Sequence, residues 1–251
     1  MKMILTCLEE TTSTNAVLKE MALSGARVGT AVTAVRQNAG RGRLGKSFLS
    51  PEGGLYLSVL AAPPAEGVSL SLFTPLAAVA VKKAIRDCTG AETEIKWVND
   101  LLLNKKKLCG ILSELVICPD GTRRIVLGIG VNVACQPFPD SFPVPAVSLE
   151  EAGYPTARED LQNAILRCLC ELTEGIGPEA AQHGMKEYRD ACMTIGRRVE
   201  VRMPERTETG VACDLGPEGE LILRLDDGKR LTVRSGEVSV LPLLSSRPSV
   251  P

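Results

Sequence analysis

Apolar and polar residues alternate along much of the first 133 positions in the pattern of β-strands. Alternating or β-branched runs, which are typical of strands packed in a sheet, occupy the segments 1–8, 30–36, 55–61, 92–97, 100–104, 107–118 and 123–133. After residue 92 the runs follow one another across short turns. Such links indicate antiparallel pairing, because parallel strands need long crossovers. The pattern therefore predicts a sheet that is largely antiparallel.

Helical spacing appears between and after these strands. The predicted helices follow the Thr/Ser cluster 11–14 or occupy about 70–88, 156–175 and 178–193. The Thr/Ser cluster offers an N-cap to the first helix, and Thr156 and Glu159 have the spacing of a capping box. The apolar residues expected on one face of the first helix are Ala16, Val17, Met21 and Leu23. We expect an α+β fold, a mixed sheet flanked by helices, without βαβ units.

The composition changes after Gly196. Between 198 and 234, runs of alternating apolar and polar residues surround Gly- and Asp-rich turns, which predicts four or five short strands. A segment of this length and pattern is typical of a small β-barrel of SH3-like size. We therefore expect a large domain over 1–194, a barrel over 195–243 and an unordered tail over 244–251.

Charge and composition exclude several classes of protein. The chain has 29 Lys and Arg against 30 Asp and Glu, a net charge of −1, whereas general nucleic-acid or membrane-surface binders need an uncompensated basic face. One Trp, three Tyr and four Phe are too few for the stacking platforms of single-strand binders. His183 is the sole histidine, which removes most Ser-His-Asp, Cys-His and His-rich metal sites. Chemistry must therefore depend on Lys, Arg, Asn and Asp.

The cysteines and the length of the apolar stretches bear on the cellular compartment of the protein. Nine cysteines are scattered without a CxxC pair, as expected of reduced thiols rather than of a disulfide framework or a zinc site. The N-terminus has no signal-peptide core. The longest uncharged stretches are about 15 residues long, short of the roughly 20 that span a bilayer. We expect a cytoplasmic protein with no membrane segment.

The segment Gly40-Arg-Gly-Arg-Leu-Gly-Lys-Ser47 has the strongest chemical signal. It matches the phosphate-binding P-loop pattern, and its first six residues match the dinucleotide pattern GxGxxG. Both patterns need a helix directly after the last glycine, but Pro51 and two glycines follow here, so neither is favoured. What remains is a loop with three cations. It is either a site for carboxylate or phosphate oxygens or a solvated surface loop.

Two further segments place polar and charged residues beside strands. Lys96-Trp-Val-Asn-Asp100 is followed by the lysine run Lys105–Lys107. Asp100 is able to hold Mg²⁺, and Lys107 at the start of a strand is able to point into a pocket, although turn residues and solvated lysines explain the same pattern. Gly128-Ile-Gly-Val-Asn132 interrupts a strand with two glycines, which often marks a bulge or the close approach of a ligand.

Taken together, these segments resemble biotin protein ligases. The motifs occur in the order and approximate spacing of that family: Thr12-Ser-Thr-Asn15, Arg36-Gln37, Gly40 to Lys46 with Ser50-Pro51, Lys96 to Asp100, Lys107 with Gly110-Ile-Leu, and Gly128 to Asn132. The resemblance covers about residues 5–240. It implies the class II synthetase-like fold of biotin ligases, with a small C-terminal SH3-like β-barrel.

The resemblance also implies an activity and its residues. Biotin is activated with ATP to biotinyl-5′-AMP, and the biotinyl group passes to one lysine of a biotin carboxyl carrier protein, such as that of acetyl-CoA carboxylase. The implied biotin-binding residues are Ser13, Thr14, Asn15, Gln37, Gly40, Arg41, Gly42, Arg43, Lys107 and Gly110. The implied nucleotide-binding residues are Arg43, Lys46, Phe48, Asn99 and Asn132. Arg41, Lys107 and Asp100 are implied to be catalytic, and Asp100 either holds the Mg²⁺ that accompanies ATP or orients the incoming lysine.

Several residues depart from the family pattern. Val98 stands where Pro is common, Leu44 and Lys46 where Arg is frequent, and Phe48 where Trp is frequent. Because Lys lacks the bidentate fork of Arg, we expect weaker retention of the intermediate. The chain begins close to Thr12, which leaves no room for an N-terminal DNA-binding domain, so we expect no DNA binding. A homodimer is compatible with the sequence.

Other functions stay open on the residues alone. A lipoate or octanoate ligase shares the scaffold and the pocket lysine, a P-loop nucleotidase would use Lys46 and Ser47, and a non-catalytic binding module would use the barrel. Balanced charge overall also hides a local excess of cations. Those expected to share one anionic-ligand pocket are Arg36, Arg41, Arg43, Lys46, Lys96 and Lys105–Lys107.

Overall fold

The structure, a computed structural model, describes residues 3–134, 138 and 145–241. Its helices and strands within these residues are β1 (Ile4–Thr11), α1 (Thr14–Leu23), β2 (Thr30–Gln37), β3 (Gly54–Ala61), α2 (Phe73–Thr89), β4 (Glu94–Lys96), β5 (Asp100–Leu103), β6 (Lys106–Ile117), β7 (Arg123–Asn132), α3 (Arg158–Cys168), α4 (Cys170–Glu174), α5 (Pro178–Ala191), β8 (Arg198–Arg202), β9 (Thr207–Leu215), β10 (Leu221–Leu225), β11 (Arg230–Val233) and β12 (Glu237–Val240). None of these helices is long and apolar enough to cross a membrane. The tail predicted over 244–251 lies outside the described residues.

Strands β1 to β7 form one mixed sheet in the order β1-β2-β3-β7-β6-β5-β4. The strands from β2 to β4 along this order pair antiparallel, which confirms the predicted largely antiparallel sheet. β1 and β2 instead pair parallel, with α1 as the crossover between them. The expectation of no βαβ unit is therefore wrong at the N-terminus, where a helix returns the chain to the start of the next strand.

Helices cover both faces of this sheet, as the alternation along β3 shows. Leu60 packs in one apolar cluster with Leu18 and Ala22 of α1. The adjacent Val59 belongs to a larger cluster that includes Ile85 of α2 and members of α3 and α5. Successive side chains of a strand point to opposite faces, so α1 lies on one face and the other helices on the second.

The buried face of α1 overlaps the predicted one only in part. Val17 and Met21 are partly buried beside the fully buried Leu18 and Ala22, whereas Leu23 is 48% exposed. The buried stripe continues to Thr14 and Asn15 at the helix start. Hydrophobic spacing did not identify this face because two of its residues, Thr14 and Asn15, are polar. Polar side chains are buried where they find hydrogen-bond partners.

The predicted capping box before α3 is also wrong. α3 begins at Arg158. Its N-cap residue is Ala157, and no side-chain hydrogen bond caps this end of the helix. The Thr156 hydroxyl lies 3.4 Å from Cys88 Sγ of α2 instead. The Thr156 side chain, which the local spacing assigned to the helix end, thus makes a tertiary contact instead.

A tight turn connects β5 and β6. Asn104 and Lys105 form the turn with φ angles of 51° and 64°, the left-handed pair that a two-residue hairpin turn requires. A register shift between Leu101 and Leu102 then changes the pairing along the hairpin. The hairpin brings β6 back beside Asp100, and Lys107 Nζ lies 2.7 Å from Asp100 Oδ1.

The C-terminal strands form a second, antiparallel sheet in the order β11-β10-β9-β8-β12. This sheet packs against the first domain through a shared core that contains Trp97, Val199 and Leu221. The Trp97 indole N–H donates to the Gly219 carbonyl at 2.9 Å. The α+β fold with a small C-terminal β domain is therefore confirmed.

Candidate functional site

A cavity of about 270 Å³ lies over the seven-stranded sheet. Its walls are the start of α1, the end of β2, the glycine-rich loop, the β4–β5 connection and the middle of β6 and β7. The residues predicted for the site that line it are Ser13, Thr14, Asn15, Gln37, Arg41, Gly42, Arg43, Lys46, Phe48, Asn99, Asp100, Lys107, Gly110 and Asn132. Residues separated by more than 100 positions thus meet in one place.

The glycine-rich loop continues without an α-helix. Arg43–Gly45 is a single 3₁₀ turn, and Lys46 is already extended at φ −70° and ψ 149°. Arg41 and Ser47 then pair in an isolated antiparallel bridge. A P-loop and a dinucleotide fold both need the amides and dipole of a helix start at this point. The structure therefore excludes both interpretations, as the glycines and Pro51 predicted.

Gly40 supports the cavity from behind, where the backbone comes close to other groups. A Cβ on Gly40 would lie 2.3 Å from the Phe48 carbonyl oxygen and 2.6 Å from Ser50 Oγ. Ser50 Oγ accepts a hydrogen bond from Gln37 Nε2 at 2.8 Å and donates to the Phe48 carbonyl. Only a glycine lets the loop pack this closely on Gln37.

One end of the cavity presents neutral polar groups. Gln37 Oε1 accepts a hydrogen bond from the Thr14 backbone N–H at 2.8 Å. Thr14 and Asn15 are each 4% exposed, and Ser13 occupies the N-cap position of α1 without a side-chain capping bond. These side chains carry no charge, so this end suits a neutral ligand group that exchanges hydrogen bonds.

The other end of the cavity is cationic. Lys107 Nζ lies 2.7 Å from Asp100 Oδ1, although the angles are not those of a hydrogen bond. Burial lowers the pKa of Lys96 and of Arg43, while the nearby Asp100 carboxylate raises both pKa values in part. Cations that burial makes costly gain most from an anionic partner. This end therefore suits carboxylate or phosphate oxygens.

Glycines on β6 and β7 make room for the Phe48 ring. A Cβ on Gly110 or Gly130 would lie 2.9 Å or 2.5 Å from ring carbons of Phe48. The ring meets Tyr56 edge to face, with centroids 6.5 Å apart, and Lys107 Nζ lies 5.7 Å from its centroid. The strand glycines thus make room for a side chain of the protein itself, and Phe48 supplies an apolar wall. The close approach of a ligand expected at 128–132 stays a prediction.

The two predicted asparagines also tie backbone segments together. Asn99 Nδ2 donates to the Ile111 carbonyl at 3.0 Å. Asn132 Nδ2 donates to the Val147 carbonyl at 3.1 Å, and Asn132 is 4% exposed. Both line the cavity, and their part in nucleotide binding stays a prediction.

The C-terminal sheet contributes a wall that sequence reasoning missed. Gly236, Glu237 and Val238 line the cavity. Glu237 Oε1 lies 2.5 Å from Lys46 Nζ, and this contact lowers the pKa of the Glu237 carboxyl. No local motif marks these residues, which lie about 190 positions from the loop they meet. Lys96, by contrast, lines the cavity as expected of the cations in its motif.

Three of the cations expected in the pocket lie on the surface instead. Arg36 is paired with Glu10 and Glu52, and its side chain is 51% exposed. Lys106 is paired with Glu151, and Lys105 is exposed. The reason is the alternation of strand side chains, which turns Gln37 and Lys107 into the cavity and their neighbours Arg36 and Lys106 away from it.

Few acidic side chains line the cavity. Asp100 and Glu237 are the acidic side chains among the described lining residues. Over residues 3–134, 138 and 145–241, no three His, Cys, Asp or Glu side chains are grouped to hold a metal ion. The cysteines described there are free thiols, and burial raises the pKa of Cys109 beside the cavity.

Several known proteins are similar to this chain in sequence and in fold. Residues 7–132 match the model of the biotin/lipoate A/B protein ligase family, and residues 194–241 match the biotin protein ligase C-terminal domain. The bifunctional ligase/repressor BirA of Bacillus subtilis is 35% identical over 225 residues, which cover 86% of this chain and 68% of that protein. The biotin–[acetyl-CoA-carboxylase] ligase of Mycobacterium tuberculosis is 34% identical over 242 residues, which cover 91% of this chain and 86% of that protein.

A solved structure of a biotin protein ligase also has this fold. The biotin protein ligase from Aquifex aeolicus in complex with biotin and ATP superposes with a TM-score of 0.77 at 30% identity, covering 95% of this chain and 98% of that chain. The fold and the cavity define a small-molecule-binding protein whose cavity has one neutral polar end and one cationic end. The chain belongs to the biotin/lipoate A/B protein ligase family.

Proposed function

We propose that this protein is a biotin protein ligase, which activates biotin with ATP and transfers the biotinyl group to a lysine of a carrier protein. The observation that carries the proposal is the division of one cavity into a neutral end at Thr14 and Gln37 and a cationic end at Arg43, Lys96 and Lys107. Biotin is divided in the same way, with a neutral ureido ring at one end and a carboxylate at the other. The named ligases among its relatives support this assignment.

Biotin binding follows from this division. The ureido group meets Thr14 and Gln37, and the apolar ring and chain pack against Phe48 above the strand glycines. The carboxylate then lies toward Arg41 and Lys107. Burial in an apolar cavity with a few fixed polar groups is the usual basis of small-molecule affinity.

The first chemical step joins two anions. A biotin carboxylate oxygen attacks the α-phosphorus of ATP, the new O–P bond forms as the bond to the β-phosphate bridging oxygen breaks, and diphosphate leaves. Arg43, Lys96 and Lys107 disperse the negative charge that would otherwise keep the reactants apart. Lys46 and Asn99, with Asn132, complete the proposed nucleotide contacts at this end of the cavity.

The second step transfers the acyl group. The neutral amine of the acceptor lysine attacks the acyl carbon of biotinyl-5′-AMP, the bond from that carbon to the phosphate oxygen breaks and AMP leaves. The proton that the amine loses passes to water. Asp100 lies beside Lys107 Nζ, where its carboxylate would orient an incoming ammonium group. We propose a biotin carboxyl carrier protein as the partner and the cytoplasm as the location.

Mg²⁺ fits this site only together with the nucleotide. Proteins hold Mg²⁺ through one or two carboxylates plus substrate phosphates, and Asp100 is surrounded by Lys107, Lys96 and Arg43. Asp100 and ATP phosphate oxygens would therefore share the ion. When bound, it would neutralise charge on the departing diphosphate.

One assay tests the function. Exchange of labelled diphosphate into ATP is measured with biotin, lipoate, octanoate or no acid, and we expect exchange with biotin alone. Exchange with lipoate or octanoate would assign the site to another acid of the same family. ATP hydrolysis without any acid, or no exchange at all, would contradict the proposal.

A further inference from the structure

The segment from Lys96 to Asp100 carries three side chains of the cavity, those of Lys96, Asn99 and Asp100. Lys96 and Asp100 form the last pair of the β4–β5 ladder, so Trp97, Val98 and Asn99 make up the turn beyond it. Backbone groups in a buried turn need partners from elsewhere in the molecule. The position of the three cavity side chains therefore depends on what holds this turn.

Two side chains from the C-terminal half of the chain supply these partners. Tyr188 of α5 is fully buried, and its hydroxyl donates to the Val98 carbonyl at 3.1 Å. Thr194, which follows α5 and is also fully buried, accepts the Trp97 N–H on Oγ1 at 3.0 Å. Two successive residues of the turn are thus tied to groups about 90 positions away along the chain.

The course of the chain around α5 explains how these side chains reach the turn. Ala181 and Tyr188 lie two helical turns apart on the buried face of α5. After the helix, the chain runs parallel to β4, where the Met193 N–H donates to the Ile95 carbonyl at 2.9 Å. This pairing fixes the next residue, Thr194, beside the start of the turn.

Tyr188 lies behind the cationic end of the cavity. Burial raises the pKa of Tyr188, and the Arg43 guanidinium lowers it in part, while the Asp100 carboxylate raises it. The hydroxyl therefore keeps its proton at neutral pH and donates it to the Val98 carbonyl. Tyr188 and Thr194 are not among the described residues that line the cavity, so they would act on a ligand only through the turn.

We propose that Tyr188 and Thr194 are positioning residues for the nucleotide, which hold the backbone of residues 96–100 so that its side chains face ATP. The inference rests on the proposed function, in which those side chains meet the phosphates and the ion that accompanies them. A small displacement of groups that must be aligned in advance is costly to binding and to reaction.

The neutral end of the cavity is held by separate bonds. Gln37 Oε1 accepts the Thr14 N–H, and Gln37 Nε2 donates to Ser50 Oγ, each at 2.8 Å. These residues belong to α1, β2 and the glycine-rich loop, and their bonds do not pass through the turn. Loss of Tyr188 or Thr194 contacts should therefore weaken the use of ATP and spare that of biotin.

Tyr188→Phe tests the first contact, because it removes one oxygen and keeps the ring that packs in the core. We expect the KM for ATP to rise about tenfold, the order of effect of an unpaired buried carbonyl. The KM for biotin should stay within about twofold, as for an independent site. Biotin-dependent diphosphate exchange at varied ATP and varied biotin measures both. Tyr154→Phe is the matched control, since Tyr154 is half-buried before α3 and does not line the cavity.

A pair of substitutions at Thr194 separates positioning from packing. Thr194→Val keeps the shape of the side chain and loses the oxygen, so the KM for ATP should rise as in Tyr188→Phe. Thr194→Ser keeps the oxygen and loses a methyl group, so it should stay close to the unmodified protein. Packing alone predicts the reverse order, because serine leaves a cavity. Thr173→Val is the control, since the buried Thr173 hydroxyl donates within its own helix region to the Leu169 carbonyl.

Circular dichroism establishes which variants are folded, and each folded variant decides the role of its residue. An unchanged KM for ATP in folded Tyr188→Phe or Thr194→Val would overturn the inference for that residue, and so would an equal rise in the KM for biotin. A serine variant worse than the valine variant would assign Thr194 to packing. Absence of biotin-dependent exchange in the unmodified protein would instead overturn the proposed function.

Discussion

Lys107 is the residue on which the cationic end of the cavity depends most. Its Nζ lies 2.7 Å from Asp100 Oδ1 and 5.7 Å from the centroid of the Phe48 ring. Both contacts hold the ammonium group in the cavity before a ligand arrives. A cation that needs no rearrangement stabilises developing charge more effectively than one that must first be ordered.

Lys107→Ala should therefore reduce adenylate formation by about 10²–10³-fold, equivalent to about 3–4 kcal/mol, the usual loss for one charge-stabilising donor. Biotin-dependent diphosphate exchange measures the effect. Lys106→Ala is the control, because the adjacent lysine pairs with Glu151 on the surface, and it should stay within about twofold. A loss of less than fivefold in folded Lys107→Ala would remove Lys107 from the site.

Lys96 should show a conflict between stability and function. Burial lowers its pKa in the folded protein, so the charged form is disfavoured relative to the unfolded chain. This penalty is full at pH values below the lowered pKa and disappears as pH rises through the ordinary lysine value. The group thus destabilises the free protein at neutral pH, while its charge would favour the proposed anionic ligand.

Lys96→Met should accordingly raise Tm at pH 7, by about 2–4 °C for each kcal/mol of penalty relieved in a chain of this size, and weaken ATP binding. The Tm difference should shrink near pH 10.5. Calorimetric melting at both pH values and ATP titration measure the two effects. A lower Tm for the variant at pH 7 would contradict the assignment of Lys96 as a costly buried cation.

At the scale of elements, the cavity depends on glycines in β6 and β7. They stand where any larger side chain would collide with Phe48 or Asn15. Gly110 on β6 and Gly130 on β7 accommodate Phe48, and Gly128 on β7 accommodates Asn15 of α1. The same glycines weaken the strands locally. Their neighbours in the ladder, such as Ile111 and Ile129, are buried and compensate by packing.

Gly128→Ala should raise the KM for biotin by about tenfold or more, because the new Cβ would displace the Asn15 side chain from a 2.2 Å approach and disturb Thr14 beside it. Steady-state exchange at varied biotin measures the change. Gly177→Ala is the control, since nothing lies within 4 Å of a Cβ there. An unchanged KM in folded Gly128→Ala would show that α1 adjusts without affecting the ligand.

At the scale of the whole molecule, the two sheets share one core and one cavity. Trp97 is buried between them and donates to Gly219, and the Tyr188 hydroxyl donates to the Val98 carbonyl at 3.1 Å. The Lys46–Glu237 pair adds a contact from the glycine-rich loop to β12. A surface ion pair contributes little free energy, so the shared apolar core is what joins the sheets.

The protein should therefore unfold in one transition. Trp97 is the sole tryptophan and lies at the junction, so its fluorescence reports on that junction, while far-UV circular dichroism reports on both sheets. We expect the two denaturant curves to coincide. A fluorescence change that precedes the loss of circular dichroism would show that the C-terminal sheet separates first.

Sequence patterns predicted most elements and most of the residues that line the cavity, because both depend on local spacing or short motifs. The strands from β2 to β7 lie within a few residues of their predicted positions. The glycine-rich loop, Asp100 and Lys107 all line the cavity as expected. Where the prediction failed, as for Arg36 and the face of α1, the outcome depended on which partner each side chain met.

The amino-acid sequence by itself determined the period of each element, the absence of a helix after Gly45 and the chemical types available for the site. Only the tertiary structure decided that β1 and β2 pair parallel, that Glu237 lines the cavity and that Asn15 of α1 donates to Glu114 of β6. The physical reason is the distance along the chain over which each interaction acts. Backbone preference and alternation act over a few residues, whereas hydrogen-bond direction and charge compensation depend on groups that folding brings together from distant positions.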